Sequence, residues 1–154
     1  MPNLENEDNA KWIKDLRART AIEELKATYA RGADAVFRTP GPASALALAD
    51  LFTVDGVLDL GPFGRFEGRA ALLNAFENLL PQGTRWSTHY IVSPVIKVDG
   101  DVATGSWYYL IKSVPQGPTA AVIDLLGGYE DQFRKVDGVW RIRETLTSFF
   151  VPPA

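Results

Sequence analysis

The second half of the chain sets the tightest limits on its fold. From Thr84 to Phe150 it reads as four long segments of mixed apolar and polar residues, roughly 84–98, 101–114, 119–136 and 139–150. Their alternation has the two-residue period of half-buried strands. Asp99-Gly-Asp101 and Asp137-Gly138 separate them where tight hairpins need residues that accept positive φ, and Pro115-Gln-Gly-Pro118 gives a longer loop. Strands of this length far exceed the usual run of about 5–6 residues. A sheet built from them must twist and curl, and Gly105, Gly127 and Gly128 offer sites for bends or bulges.

The first half has the helical period. Between Asn9 and about Phe37, residues Ile22, Leu25, Tyr29, Ala33 and Val36 form one apolar stripe. Residues 1–9 lack such a pattern and are expected to be a disordered tail. Thr20, followed by Glu23 and Glu24, has the form of a capping box and predicts that a second helix starts there. Thr39-Pro-Gly-Pro42 breaks the pattern, and Ser44 is expected to cap a short helix, Ala45–Phe52, closed by Asp55-Gly56. Two short strands, 57–60 and 64–67, flank the turn Gly61-Pro-Phe-Gly64. A last helix is expected from Gly68 to Leu80, ended by Pro81-Gln-Gly83.

Helices first and a long meander afterwards mean an α+β fold with a single domain over residues 10–154. The expected shape is a cone-shaped barrel: a strongly curved, mixed but mostly antiparallel sheet with the N-terminal helices on its concave side and a pocket inside. A chain of 154 residues is long enough to enclose one, burying about 70% of its unfolded surface.

Composition removes many functions. The net charge is −3 and no dense Lys/Arg run occurs, so neither nucleic acid nor a membrane is an expected partner. There is no cysteine, which excludes thiol chemistry and thiolate-bound metal, and one histidine is too few for an imidazole-built zinc site. No metal and no cofactor are expected. The acidic, polar start is the reverse of a signal peptide, and no run approaches the ~20 apolar residues of a membrane span, so a cytoplasmic protein is expected. Motifs for nucleotide binding, the serine nucleophile elbow, zinc proteases and calcium loops are missing. Aromatic residues make up 11% of the chain, enough to fill a core or to line a pocket for a flat apolar ligand.

The single histidine, His89, lies in the first long strand. Imidazole is the side chain whose ordinary pKa suits it to take and return a proton near neutrality. By period two it shares a face with Ser87, Ile91, Ser93 and Val95, a mixed face such as a pocket wall would have, while Trp86, Tyr90 and Val92 take the other. The competing reading is a histidine that serves packing alone.

Four segments together carry a family likeness: IEELKATYARGAD (22–34), ALADLFTVDGVLDLGPFGRFEGRAAL (47–72), STHYIVSPVIKVDGDVATGSWYY (87–109) and GGYEDQFRKVDGVWRIRE (127–144). The chain resembles the SnoaL-like group of the nuclear transport factor 2-like cone fold. Its motif pattern is similar to the branch of scytalone dehydratase, bile-acid dehydratase and hexachlorocyclohexane dehydrochlorinase. In that branch an Asp near the end of the pocket helix holds a His on the first long strand; the resemblance places these roles on Asp34 and His89. A polar residue five before the Asp, Tyr in the dehydratases, falls on Tyr29.

The dehydrochlorinase also has an Arg on the last strand, and this chain has Thr145 there. Arg143, two residues earlier and on the same face by alternation, is the candidate replacement. Trp107, Tyr109, Tyr129 and Phe149, with Arg143, are the expected substrate contacts, and Trp86, Tyr108 and Phe133 are further wall candidates of which alternate members face inward. Each has a plainer reading: Asp34 as a solvated helix-end residue, Tyr29 and the strand aromatics as core.

The resemblance implies a cofactor-free lyase or isomerase that acts on a small hydrophobic cyclic molecule through an Asp34–His89 dyad. The alternative is a non-catalytic ligand-binding or subunit-type protein of the same fold. A homodimer or higher homo-oligomer, packed through the aromatic outer face of the sheet, is the expected assembly.

Overall fold

A computed structural model describes residues 4–118 and 121–150. The expected strand start at 119–120 and the first three residues of the expected tail lie outside this range. The element order is α1 (Leu4–Arg38), α2 (Pro42–Ala49), β1 (Phe52–Asp59), a 3-10 turn (Gly61–Phe63), β2 (Arg65–Glu67), α3 (Arg69–Asn74), a π-helical turn (Ala75–Leu79), α4 (Leu80–Gly83), then β3 (Thr84–Asp99), β4 (Val102–Pro115), β5 (Ile123–Val136) and β6 (Val139–Phe149). The six strands form one open sheet in the order β2-β1-β6-β5-β4-β3. Every neighbouring pair is antiparallel except β1 and β6, which run parallel. The fold is therefore α+β with a mixed, mostly antiparallel sheet, as the sequence predicts.

Four expectations about the helices need correction. The expected break at Thr20 is absent, and one helix runs from Leu4 to Arg38. Thr20 hydrogen-bonds back to the Leu16 carbonyl at 3.1 Å, so its hydroxyl serves the helix interior and does not cap an end. Residues 4–9, expected in the tail, are also helical. The short helix starts earlier, with Pro42 in its first turn, where a missing N–H costs nothing. Ser44 lies inside it and donates to the Thr39 carbonyl at 2.6 Å. Finally, Pro81 does not end the third helical segment: the π-helical turn over Ala75–Leu79 precedes it, and Pro81 begins a last α-turn.

The hairpins form where the Gly-containing turns predict them. Asp99 pairs with Val102 and Val136 with Val139, leaving the two-residue loops Gly100-Asp101 and Asp137-Gly138. Asp137 and Gly138 both have positive φ, the requirement of that hairpin class.

The bulges lie elsewhere than expected. Pairing skips between Val92 and Val95 on β3, with Ser93 at φ 57, and between Ile142 and Glu144 on β6, where Arg143 is the extra residue. Each bulge reverses the alternation beyond it. The buried face of β3 passes from Ser87 to Ile96, so Ser93 and Val95 are exposed and do not share the His89 face. Gly105, Gly127 and Gly128 stay in regular register. Gly127 serves close approach instead: a Cβ there would collide with the Ser148 carbonyl and the Tyr109 hydroxyl.

The core lies between α1 and the concave face of the sheet. Ile22, Tyr29 and Val36 from the helix meet Trp107, Tyr129, Phe133 and Ile142 from the strands, and Phe52 and Phe76 close one end. No helix among the described residues is long and apolar enough to cross a membrane.

Candidate active site

β3 is an edge strand, and an edge leaves backbone N–H and C=O groups unpaired. The last turns of α1 cover that edge with side chains. Asp34 Oδ1 accepts the His89 backbone N–H at 3.1 Å, and Arg38 donates to the Ser87 carbonyl through Nε at 3.1 Å and Nη2 at 2.8 Å. Residues 87 and 89 point these groups to the same edge because they are two apart in a strand. Asp34 and Arg38, four apart, reach them from one helix face. Arg38 also donates to the Thr88 hydroxyl and stacks on Trp86, 4.8 Å from the ring centroid.

The same carboxylate holds the imidazole. His89 Nδ1 lies 2.6 Å from Asp34 Oδ1, and the Ser87 hydroxyl donates to that oxygen at 3.0 Å. Arg38 Nη2 stands 3.9 Å from the other oxygen. A carboxylate in the last turns of a helix opposes the helix dipole, and the donors from β3 explain its presence there. An ionised Asp34 accepts Nδ1–H, which leaves the Nε2 lone pair free on the opposite side of the ring.

His89 lines a cavity of about 310 Å³ between α1 and the sheet. The walls are mostly apolar, with Phe37, Phe63, Phe76 and Phe149 supplying rings and Leu48, Leu58 and Leu125 the aliphatic surface. The polar members are few: Tyr29, Tyr129, Ser87, Ser113, Thr84 and Thr147 beside His89. Among the described residues, neither Lys nor Arg lines this cavity. Burial pushes both the Tyr29 and Tyr129 phenols above their ordinary range, the Asp131 charge adding to each, so both stay protonated as donors. Among the described residues, no three His, Cys, Asp or Glu side chains gather in a way that could hold a metal ion.

The expected site residues divide. His89, Tyr29, Tyr129 and Phe149 line the cavity, and Asp34 stands directly behind His89. Trp107 and Tyr109 are buried on the inner face but do not line it. Tyr109 donates its hydroxyl to the Ser148 carbonyl at 2.8 Å, so that group is already committed. Phe133 is core, whereas Trp86 and Tyr108 face outward.

Arg143 does not face the cavity either. As the bulged residue it turns to Asp55, donating to its carbonyl at 3.0 Å and meeting its carboxylate at 3.2 Å. Counting by twos fails across a bulge, which is why alternation placed Arg143 with Thr145. Thr145 is fully buried, directly opposite Asp131 on β5.

Residues without a predicted role also matter. Lys26 and Asp131 form a fully buried ion pair at 2.7 Å, and burial pushes the lysine below its ordinary range. The signal was present: Lys26 interrupts the apolar stripe between Ile22 and Tyr29, and Asp131 sits between the inward-facing Tyr129 and Phe133. Thr147 lines the cavity, and its buried hydroxyl has no hydrogen-bond partner among the described residues.

Comparisons with known proteins agree with this architecture. The SnoaL-like domain matches residues 14–145. No curated protein sequence matches the chain significantly. Among solved structures, hexachlorocyclohexane dehydrochlorinase LinA-type3 from Novosphingobium barchaimii is 20% identical with a TM-score of 0.74, covering 92% of this chain and 99% of its own. A nuclear transport factor 2-like protein with a cystatin-like fold from Novosphingobium aromaticivorans is 23% identical, with a TM-score of 0.75 and coverage of 100% and 94%. Rv3472 from Mycobacterium tuberculosis, a protein of unknown function, is 26% identical, with a TM-score of 0.71 and coverage of 90% and 77%. With the domain match spanning most of its length and the cone architecture in place, the chain belongs to the SnoaL-like family.

Proposed function

We propose that the chain is a cofactor-free lyase or isomerase of the cytoplasm, acting on an uncharged, mostly apolar cyclic molecule. The observation that carries this reading is the 2.6 Å contact between His89 Nδ1 and Asp34 Oδ1 at the wall of an apolar cavity. Asp34 fixes the tautomer, so His89 Nε2 is the base; it takes a proton from carbon, and the carboxylate stabilises the imidazolium that forms. The released electron pair either expels a leaving group, with its own electron pair, from the neighbouring carbon or moves onto a carbonyl oxygen to form an enolate, to which the imidazolium returns the proton at another carbon. The Tyr29 phenol, kept protonated by burial, donates to the oxygen on which charge develops. The lack of Lys or Arg in the lining favours an uncharged ligand.

That same lack favours a second reading, stoichiometric binding without turnover. A screen of steroid, polyketide and halogenated cycloalkane substrates separates the two. The lyase or isomerase reading expects turnover that falls ~10²–10⁴-fold in His89→Ala while the variant stays folded. Full activity in that variant sinks the dyad, and tight binding with no turnover supports the binding protein.

The assembly we infer is a homodimer through the convex face of the sheet. Tyr90, Val92, Tyr108, Leu126 and Phe150 stand exposed there, and Tyr108 meets Phe150 edge to face at 6.1 Å. Apolar patches of this kind mark association sites. Light scattering should give twice the chain mass, with Tyr108→Glu reducing it to the monomer; a monomeric wild-type chain at micromolar concentration refutes the dimer.

A further inference from the structure

One buried ion pair takes no part in the chemistry above. Lys26 Nζ and Asp131 Oδ2 meet at 2.7 Å, and both side chains are removed from solvent. The ammonium also stands 4.4 Å from the Tyr29 ring centroid and 4.0 Å from that of Tyr129. These two rings meet edge to face, 6.1 Å apart at 83°, and both line the cavity that Lys26 and Asp131 do not reach.

We propose that Lys26 and Asp131 are positioning residues that set the two phenols as the hydroxyl-recognising end of the cavity. Lys26 acts through the rings and does not touch the ligand. The inference rests on the cavity being the site for an uncharged cyclic molecule.

The placement of the pair is the argument. Lys26 is one helical turn before Tyr29, and Asp131 is one strand repeat after Tyr129, so each partner is anchored beside the ring it serves. The pair ties α1 to β5 where the two rings meet. Stability alone does not account for it, because hydrophobic residues of similar volume generally replace a buried ion pair without loss. Packing alone does not either: aliphatic side chains would fill the space, but only a cation is attracted to the faces of both rings at once. With both faces fixed, the ring edges and their hydroxyls hold one orientation. Tyr129 is also directly opposite Thr147, whose hydroxyl has no hydrogen-bond partner among the described residues.

The test compares two probes that differ by one hydroxyl, 2-naphthol and naphthalene, with dissociation constants measured for the wild type and the double variant Lys26→Met/Asp131→Leu. The wild type should prefer 2-naphthol by about tenfold, the worth of one good hydrogen bond. The double variant should lose that preference while holding naphthalene within about twofold, whereas general loosening of the fold would weaken both probes. Tyr29→Phe/Tyr129→Phe, which keeps the ion pair, should lose it too, and provides the test if the first variant does not fold. An undiminished preference in either folded variant, or none in the wild type, overturns the proposal. The dyad is read from turnover in His89→Ala and this proposal from the binding preference in the variants above, so failure of the dyad and failure of this proposal give different results.

Discussion

Asp34 and Asp131 both serve the concave side of the sheet, yet the fold surrounds them with opposite partners. Asp34 sits at the edge of β3 and is met by an imidazole, a hydroxyl and a backbone amide, with a guanidinium at 3.9 Å. Asp131 sits in the middle of the sheet and is met by one ammonium, sealed behind two tyrosines. The first arrangement leaves a neighbour, His89, with a free nitrogen beside a cavity. The second uses the charge of both partners inside the core and leaves nothing for a ligand to touch. A carboxylate held by several weak neutral donors can share in a proton transfer, whereas one tied to a buried cation can only hold its surroundings in place.

The strongest way to break this contrast is to remove one partner of the sealed pair. Asp131→Ala leaves an ammonium in the core without a counter-charge and should cost about 3–5 kcal/mol in urea unfolding. Adding Lys26→Met should recover most of it; no recovery would mean that Asp131 has a structural role apart from Lys26. The matched change at the edge should act on chemistry and spare the fold. Asp34→Asn keeps an acceptor for Ser87 and for the His89 amide, at a cost of about 1 kcal/mol. It cannot stabilise an imidazolium, so turnover of a substrate found in the screen should fall ~10³-fold.

How much of this was legible in the sequence follows from the range of each signal. The long strands, their hairpin turns and the helix-then-sheet order rest on local periodicity and turn chemistry, and they could be read directly. Asp34 lies off the ideal apolar stripe, so periodicity did not bring it inward; the family pattern did. What brings it to His89 is an edge strand needing partners, and that depends on strand order, which no local pattern encodes. Arg143 was misplaced because an extra residue in β6 reverses the inward face, and neither glycine nor proline marks that bulge. Lys26 and Asp131 were visible as charges in apolar positions. Their pairing was hidden by a separation of 105 positions, which only the packing of α1 on β5 closes.

A smaller effect should distinguish the two ends by pH. The Tyr29 and Tyr129 phenols are raised by burial, and Tyr109 is raised to about 12. Between pH 10 and these values the native state holds protons that the unfolded chain has lost. Their contribution is therefore complete below pH 10 and is lost as pH rises, at up to about 1.4 kcal/mol per unit for each buried phenol. Lys26, lowered by burial, works in the other direction: between its native value and 10.5 the unfolded chain holds the extra proton, so stability gains as pH rises through that window. Urea unfolding from pH 8 to 11.5 should show a shallow rise and then a steep fall. Tyr129→Phe should flatten the fall, and Asp34→Asn, whose charge adds least of the causes that raise Tyr129, should change it far less.

The smallest effect should come from Arg38, which separates charge from geometry at the edge. Its side chain is 41% exposed and its guanidinium is 3.9 Å from Asp34, so the ion pair itself is worth little in water. The forked donation to the Ser87 carbonyl is the stronger link, because it closes the open edge beside His89. Lysine keeps the charge and loses the fork. Arg38→Lys and Arg38→Ala should thus behave alike, each costing about 1 kcal/mol. Each should also speed hydrogen exchange at the His89 amide by about tenfold, since that cost opens the edge where Asp34 holds the amide. If lysine preserves the slow exchange, charge is what keeps Asp34 in place, and the edge-pairing account of the dyad gives way to a purely electrostatic one.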